Sequence, residues 1–441
     1  MSVLAGELAA IARRHPGRPA LRRGGEALGA GPLAEAAAWR AETLAGGRGP
    51  VPLDHSDPVR FVVEFFAARM AGRNAAVRPP GTPDELVRMR EEAEGRGRWP
   101  EGGATAFYTS GSVGASRAVP LTDSNLAAGA LAFAERGEIR PGDVVAIGVP
   151  AAHVFGFVRG VLNALLVGAE AVFFVPRRDA LAEAASLGAA VALLPAGALG
   201  PAARRRSRVS LRAVFCGGGR VREEDVEAIE NVRGVPVRTG YGLTESAGLG
   251  ARQRVDRARR AGSSGPPAPG LELGVFAEDG SALPRGEAGE IRLRGAAVFE
   301  GYLSPDDPPP FDDAGRLRTG DVGVLDGDDE LHVRGRLAYS LASRGRVLCA
   351  EEVEAALEEH PGVLHAAAAP VGRAFAVLVV ARDPSPAALD DIRRHADRRL
   401  PAYARPRRLV GVAELPRTPA GKIDRGEAAR RLASDGPESA S

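Results

Sequence analysis

The chain predicts an α/β protein: a large N-terminal domain of layered α/β sheets with a small β unit, then a smaller α+β C-terminal domain. Three changes of pattern carry this reading. Up to Glu230, helical spacing alternates with short apolar runs at residues 144–149, 171–175, 191–194 and 211–215, the pattern of helices packed on a sheet. The turn-forming stretch Gly262-Ser-Ser-Gly-Pro-Pro-Ala-Pro-Gly270 then introduces alternating segments at 271–276 and 290–294, which predict a small antiparallel unit. Near Arg336 the pattern changes again, to a helix over 350–359, a strand over 374–380 and a helix over 387–400. The expected domains are therefore 1–336 and 337–441, the second of a usual domain size.

Composition excludes several function classes. With 44% hydrophobic and 26% charged residues and a net charge of +2, the chain reads as a soluble globular protein with no electrostatic case for nucleic acid or an acidic membrane. The Arg-rich stretches at 203–207 and 257–260 read as solvated faces. Cys216 and Cys349 lack metal-ligand spacing, and so few thiols suit a reducing compartment. Residues 1–14 carry their arginines after the apolar part, as an ordinary first helix does rather than a leader. The longest apolar run, 161–175, is broken by Asn163 and Glu170 and is too short to span a bilayer. The expectation is a cytoplasmic enzyme with no membrane insertion and no nucleic-acid partner.

Of 58 lysines and arginines one is lysine, Lys422, within Leu415-Pro-Arg-Thr-Pro-Ala-Gly-Lys-Ile-Asp-Arg425. A compact ammonium on a flexible stem enters a narrow space between negative oxygens where a planar guanidinium does not fit. On position alone, a surface lysine left by chance is the alternative. Further upstream, Ala106-Phe-Tyr-Thr-Ser-Gly-Ser-Val-Gly-Ala-Ser-Arg-Ala-Val-Pro120 packs hydroxyls and glycines into one loop after a strand, which suits phosphate oxygens. It has neither Walker A spacing nor a dinucleotide fingerprint. In Arg238-Thr-Gly-Tyr-Gly-Leu-Thr-Glu-Ser246, Thr244 is a candidate phosphate donor and Glu245 a candidate Mg²⁺ ligand. Arg318-Thr-Gly-Asp321 offers a carboxylate suited to the two hydroxyls of a ribose.

In this order, these segments resemble the adenylate-forming superfamily of acyl- and aryl-CoA synthetases, adenylation domains and luciferase. Residues 108–119 resemble its phosphate loop, 241–245 its Tyr-Gly-x-Thr-Glu core, 319–321 its Thr-Gly-Asp, and Gly335-Arg336 the residues before its interdomain hinge. Gly421-Lys422 resembles its C-terminal catalytic lysine loop. The resemblance implies ATP and Mg²⁺, with a carboxylate attacking the α-phosphorus to give an acyl adenylate and pyrophosphate. It assigns Lys422 to bridge substrate carboxylate and phosphate, Thr244 to the α-phosphate, and Glu245 to Mg²⁺. Thr109, Ser110 and Ser112, with Gly111, Gly114 and Arg117 in the same loop, go to the outgoing phosphates. Asp321 and Arg336 go to the ribose, Gly217, Gly218 and Gly219 to the adenine face, and Tyr241 and Gly242 to the nucleotide-binding core. A small, mobile C-terminal domain is also implied. It turns after adenylation, and Gly345 resembles the glycine lining the tunnel for coenzyme A or a carrier's phosphopantetheine.

Pro150-Ala-Ala-His-Val-Phe-Gly-Phe157 resembles the segment beside the acyl pocket, placing His153 near the carboxylate and Val154 and Phe157 at the pocket. Gly240, Ala247 and Gly248 leave room at its floor. No Asp stands here to pair with an α-ammonium, so the expected substrate is a small carboxylic acid with an uncharged acyl or aryl tail. The resemblance is incomplete at several positions, among them Ser116-Arg117-Ala118 in place of the usual Pro-Lys-Gly. Ala338 and Ala342 replace the hinge Asp and a following lysine, Val113 replaces a threonine, and Arg117 replaces the loop lysine. Thiol transfer to coenzyme A or an acyl carrier protein leads. An amide-type synthetase using a nitrogen nucleophile is favoured by Ala338 and Ala342, while a non-catalytic nucleotide-binding relative is disfavoured by the retained Lys422. The Arg-, Ala- and Gly-rich composition suggests specialised metabolism.

Overall fold

The computed structural model describes residues 2–54, 57–78, 91, 94–109, 117–135, 139–219, 221–343, 346–417 and 423–434. Its largest sheet has eight strands in the order Gly250–Arg252, Val237–Gly242, Ala213–Gly217, Val191–Pro195, Val144–Ile147, Glu170–Phe173, Pro19–Arg23, Glu26–Gly29. The inner pairings are parallel and the two outermost antiparallel. Parallel strands are covered on both faces and so read as unbroken apolar runs, which is why the central strands lie where the sequence places them. The strand Pro19–Arg23 gives no such signal because it ends in two arginines. Arg22 is accommodated there by Glu170 on the neighbouring strand, at 3.0 Å.

The apolar run at 161–175 is not one element. The helical turns of Phe155–Leu162 and Asn163–Val167 end at Gly168, whose φ of +86° is left-handed, and the chain re-enters the sheet at Glu170–Phe173. A second sheet joins Val51–Asp54, Ala75–Arg78, Ala104–Tyr108 and Ala118–Thr122. The helix Pro58–Met70, capped by the Asp57 carboxylate on the Val59 N–H at 2.9 Å, presses Phe61 and Phe65 edge-on against Phe157. Residues 271–336 form the expected antiparallel unit, a meander of Leu271–Phe276, Ala288–Gly295, Leu317–Leu325 and Leu331–Arg336.

The smaller C-terminal part packs the helices Ala350–Glu358, Pro386–Arg399 and Arg425–Ser434 on the strands Val363–Val371, Ala374–Ala381 and Arg408–Gly411. Its own core gathers Val353, Leu357, Phe375, Val377 and Ile392. Both cysteines are buried thiols. Among the described residues no helix is long and apolar enough to cross a membrane, and no group of His, Cys, Asp or Glu forms a metal cluster.

Phe65 is fully buried, with its ring 4.7 Å from Phe157 and 5.1 Å from Phe66. Phe65→Ala should lower unfolding free energy by about 3–5 kcal/mol, read from the urea midpoint at unchanged slope.

Candidate active site

At the end of the strand Val237–Gly242, Tyr241 donates its hydroxyl to Asp321 Oδ2 at 2.7 Å. Asp321 lies on the strand Leu317–Leu325 of the β meander, two residues after Thr319. The Thr319 hydroxyl donates to the Ile291 carbonyl at 2.6 Å and accepts from the Asp321 N–H at 3.0 Å. Arg336 closes the group from the next strand, with Nε 2.8 Å from Asp321 Oδ1 and Nη1 donating to the Thr319 carbonyl at 3.3 Å. Burial pushes the Asp321 carboxyl up to about 6, opposed chiefly by Arg336. It raises the Tyr241 phenol as well, with Asp321 adding to the effect. For Arg336, burial opposes the charge, but Asp321, Tyr241 and Glu245 outweigh it and hold the guanidinium above its usual value.

A second group forms around the short helix Thr244–Ser246. Glu245 Oε1 accepts from the Tyr302 hydroxyl at 3.0 Å, and its carbonyl accepts from the Phe299 N–H at 2.8 Å. Arg117 stacks 5.0 Å over the Tyr302 ring and pairs with Asp307 at 3.2 Å. Burial, aided by Glu245, pushes the Tyr302 phenol up to about 12. The antiparallel strands Ala104–Tyr108 and Ala118–Thr122 flank residues 110–116 in the chain, which lie outside the described residues. Thr109 and Arg117 pair at the strand ends: the Thr109 N–H donates to the Arg117 carbonyl and the Arg117 N–H to Thr109 Oγ1, each at 3.0 Å. The Thr109 hydroxyl therefore accepts a bond across the loop in addition to any role toward a ligand.

Gly217, Gly218 and Gly219 end a central strand as partly to fully exposed backbone. Gly218 has φ +79° and nothing within 4 Å of where a Cβ would stand. Beside them, Phe155 lies 3.9 Å from the Cβ position of Gly217. Gly242 is required by close approach, since a Cβ there would fall 2.1 Å from the Gly248 carbonyl oxygen. Ala247, fully buried, holds φ +50°, a conformation that costs a non-glycine residue on the order of 1 kcal/mol. Val154 lies 3.6 Å from the Cβ position of Gly248, so these two expected pocket residues meet, while the Cβ position of Gly240 faces the Ala251 carbonyl at 2.9 Å. Phe157 does not face them in the same way: it is 0% exposed, within the cluster of Phe61, Phe65 and Phe107. His153 is exposed and opens the helical turn, its carbonyl accepting from the Phe157 N–H at 2.8 Å.

Ser110, Gly111, Ser112, Gly114, Gly345 and Lys422 lie outside the described residues. The flanks of Lys422 are described. Arg417 and Ile423 form an antiparallel bridge, and Arg425 pairs with Glu354 at 2.6 Å and Glu351 at 3.2 Å. Glu351 in turn packs on Gly335, where a Cβ would lie 2.1 Å from its carboxylate oxygen. Gly335 thus lets the C-terminal part approach the residue before Arg336. Sequence reasoning missed Tyr302 as the partner of Glu245, and it missed Arg159. The available signal for Arg159 was a cation inside the apolar stretch 155–162.

This arrangement defines a class: an α/β protein with an exposed glycine strip, a buried carboxylate fork and a second carboxylate held by a tyrosine. The AMP-binding enzyme model matches residues 69–303 and the AMP-binding enzyme C-terminal domain model residues 352–422. The chain belongs to the AMP-binding enzyme family. It is 31% identical over 344 residues to the sulfoacetate–CoA ligase of Cupriavidus necator, covering 74% of this chain and 66% of that protein. To a 4-coumarate–CoA ligase-like protein of Oryza sativa it is 29% identical, covering 72% of this chain and 58% of that one. The chain thus spans less than two thirds of these relatives' length. Its fold is that of ATP-bound MatB from Rhodopseudomonas palustris (TM-score 0.87, 20% identity, 98% and 99% of the two chains). O-succinylbenzoate coenzyme A synthetase from Bacillus subtilis, in complex with AMP, is similar too (TM-score 0.85, 22% identity, 96% and 97%).

Because burial raises the Asp321 carboxyl from 3.8 to about 6, the folded state binds this proton more tightly than the unfolded one. The carboxyl therefore costs stability above pH 6, and that cost is relieved as pH falls toward the unfolded value. Carboxyl-carbon NMR should show one aspartate titrating near pH 6 that vanishes in Asp321→Asn; a transition below pH 4 contradicts the assigned desolvation.

Proposed function

We propose that this chain is an ATP-dependent ligase that adenylates a small carboxylic acid and passes the acyl group to coenzyme A. The observation that carries the reading is the fork of Tyr241, Asp321 and Arg336, set near Glu245 in a chain of the AMP-binding family. Relatives named as CoA ligases, for sulfoacetate and 2-succinylbenzoate among others, favour coenzyme A over an amine as acceptor. They do not bear on an acyl carrier protein, which offers the same phosphopantetheine thiol. We also propose a division at 336/337, with the C-terminal part acting as a mobile lid, and a cytoplasmic setting.

The residues fit the groups assigned to them. Each Asp321 oxygen has one protein partner and keeps a lone pair for a ribose hydroxyl. Glu245 uses Oε1 on Tyr302, and Oε2 has no hydrogen-bond partner among the described residues, as suits a carboxylate that would hold Mg²⁺. When bound, Mg²⁺ would neutralise phosphate charge. The exposed glycine strip gives an adenine ring a flat backbone face, free of side chains at Gly218.

In the reaction, a carboxylate oxygen of the acid forms a bond to the α-phosphorus of ATP and the α–β phosphoanhydride bond breaks, releasing pyrophosphate. The acid is already ionised at neutral pH, so no general base is needed, and catalysis reduces to bringing anions together and offsetting their charge. Lys422 serves that task between the carboxylate and the α-phosphate, Thr244 donates to the phosphate, and Arg117 with the loop hydroxyls holds the leaving pyrophosphate. The thiol sulfur of coenzyme A, giving up its proton to solvent, then bonds to the acyl carbon, the acyl–phosphate bond breaks, and AMP leaves with the electron pair.

Pyrophosphate release from MgATP should depend on added acid and rise further with coenzyme A. Lys422→Ala should lower it by about 10²–10³-fold while leaving ATP binding intact. Full activity in that variant overturns the role given to Lys422, and acid-independent release overturns adenylation.

A further inference from the structure

We infer that Tyr302 is a positioning residue for Glu245: its phenol fixes the carboxylate that would hold Mg²⁺ and keeps Arg117 from pairing with it. The inference rests on the nucleotide-binding reading above. Tyr302 stands on a segment pinned on both sides. Before it, Asn125 Nδ2 donates to the carbonyls of Ala296 and Val298 at 2.9 and 3.0 Å, and the Phe299 N–H donates to the Glu245 carbonyl at 2.8 Å. After it, the fully buried Leu303 donates its N–H to the Ala118 carbonyl at 3.0 Å, and its own carbonyl accepts from the Arg98 N–H at 3.1 Å. The segment thus ties the short helix Thr244–Ser246 to the strand Ala118–Thr122, which starts next to Arg117. The Tyr302 ring meets the buried Phe299 ring edge-on at 5.0 Å, which holds its direction.

A phenol has one proton to give. Here it goes to Glu245 Oε1 at 3.0 Å, while Arg117 Nη1 stands 3.5 Å from the phenol oxygen and the guanidinium 5.0 Å from the ring centroid. Arg117 Nε is drawn to Asp307 at 3.2 Å, on a different residue from Glu245. An arginine and a carboxylate that meet directly form a charge-assisted and often bidentate pair. Such a pair would take both Glu245 oxygens out of use and turn the guanidinium away from phosphate. With the phenol between them, only Oε1 is engaged, and Oε2 has no hydrogen-bond partner among the described residues. The terminal torsion of a glutamate is otherwise broad, so the same bond sets the plane in which Oε2 is offered. Partners that orient a metal-holding side chain in this way contribute about 10–100-fold to metal affinity.

A residue that merely braces the fold would affect nucleotide binding alike with and without metal, whereas one acting through Glu245 must separate the two. The test is calorimetric binding of α,β-methylene-ATP to the full chain, once with Mg²⁺ and once with EDTA. Wild type should bind the Mg²⁺-loaded analogue more tightly than the metal-free one. Tyr302→Phe keeps the ring beside Arg117 and loses only the hydroxyl; it should cut that enhancement by about 10-fold and leave the metal-free affinity unchanged. In a Glu245→Gln background the same change should have no further effect, because the phenol acts through that carboxylate. Equal weakening with and without Mg²⁺, an undiminished enhancement, or a full effect in the Gln background each overturns the inference, as does wild-type binding that ignores Mg²⁺. Acid-dependent pyrophosphate release by the wild type reads adenylation separately. Where it is present, those results remove only the role of Tyr302; where it is absent and the analogue does not bind, the proposed function falls and this inference with it.

Discussion

The ion pair between Asp321 and Arg336, completed by the Tyr241 hydroxyl, is the joint on which the candidate site depends. Tyr241 comes from the strand next to the edge of the eight-stranded sheet, Asp321 from the β meander, and Arg336 from the meander's last strand where the chain turns to the C-terminal part. One buried carboxylate therefore sets the main sheet, the small β unit and the crossing point against one another. Burying it is costly, as the upward push on its carboxyl shows. A buried pair of this kind is weak evidence for stability. Its value here is positional: an ionised acceptor with fixed direction, already stripped of much of its water, at the place where a ribose would need one.

Around that joint, close backbone approach does much of the shaping. Gly242 lets the strand Val237–Gly242 lie against Gly248, and Gly335 lets Glu351 reach the end of the meander. Glu351 and Glu354 hold Arg425, three residues past Lys422. A chain of ion pairs and one glycine thus links the flank of the lysine segment to the Arg336 crossing. Burial drives Glu354 up to about 7 despite Arg425, so this linkage also carries a desolvation cost.

Charge placement follows a single theme. Arg117 sits over Tyr302, which in turn donates to Glu245, so cation and carboxylate at the phosphate loop are spaced by a phenol rather than paired directly. The Glu245 carboxylate consequently keeps one oxygen for another partner. The Arg159 guanidinium is handled differently, with aromatic rings at its sides and glycines before it.

Much of this was legible in the chain. Buried parallel strands produce apolar runs and the meander produces alternation, because both patterns are local in sequence. The residues proposed for the nucleotide site also come in short contiguous motifs, so Thr244, Glu245, Asp321 and Arg336 were named from sequence. Strands rich in arginine, such as Pro19–Arg23, were not, because their charges are satisfied by a distant partner, Glu170. Sequence alone determined the fold class, the order of the motifs and the single lysine among the cations. Only the tertiary structure decided that Phe157 belongs to an aromatic core, that Tyr302 holds Glu245, and that Arg159 lies against Gly240, Gly242 and Gly248. The reason is physical: periodicity reports which face of an element is buried, whereas the identity of what it is buried against is set by segments far away in the chain.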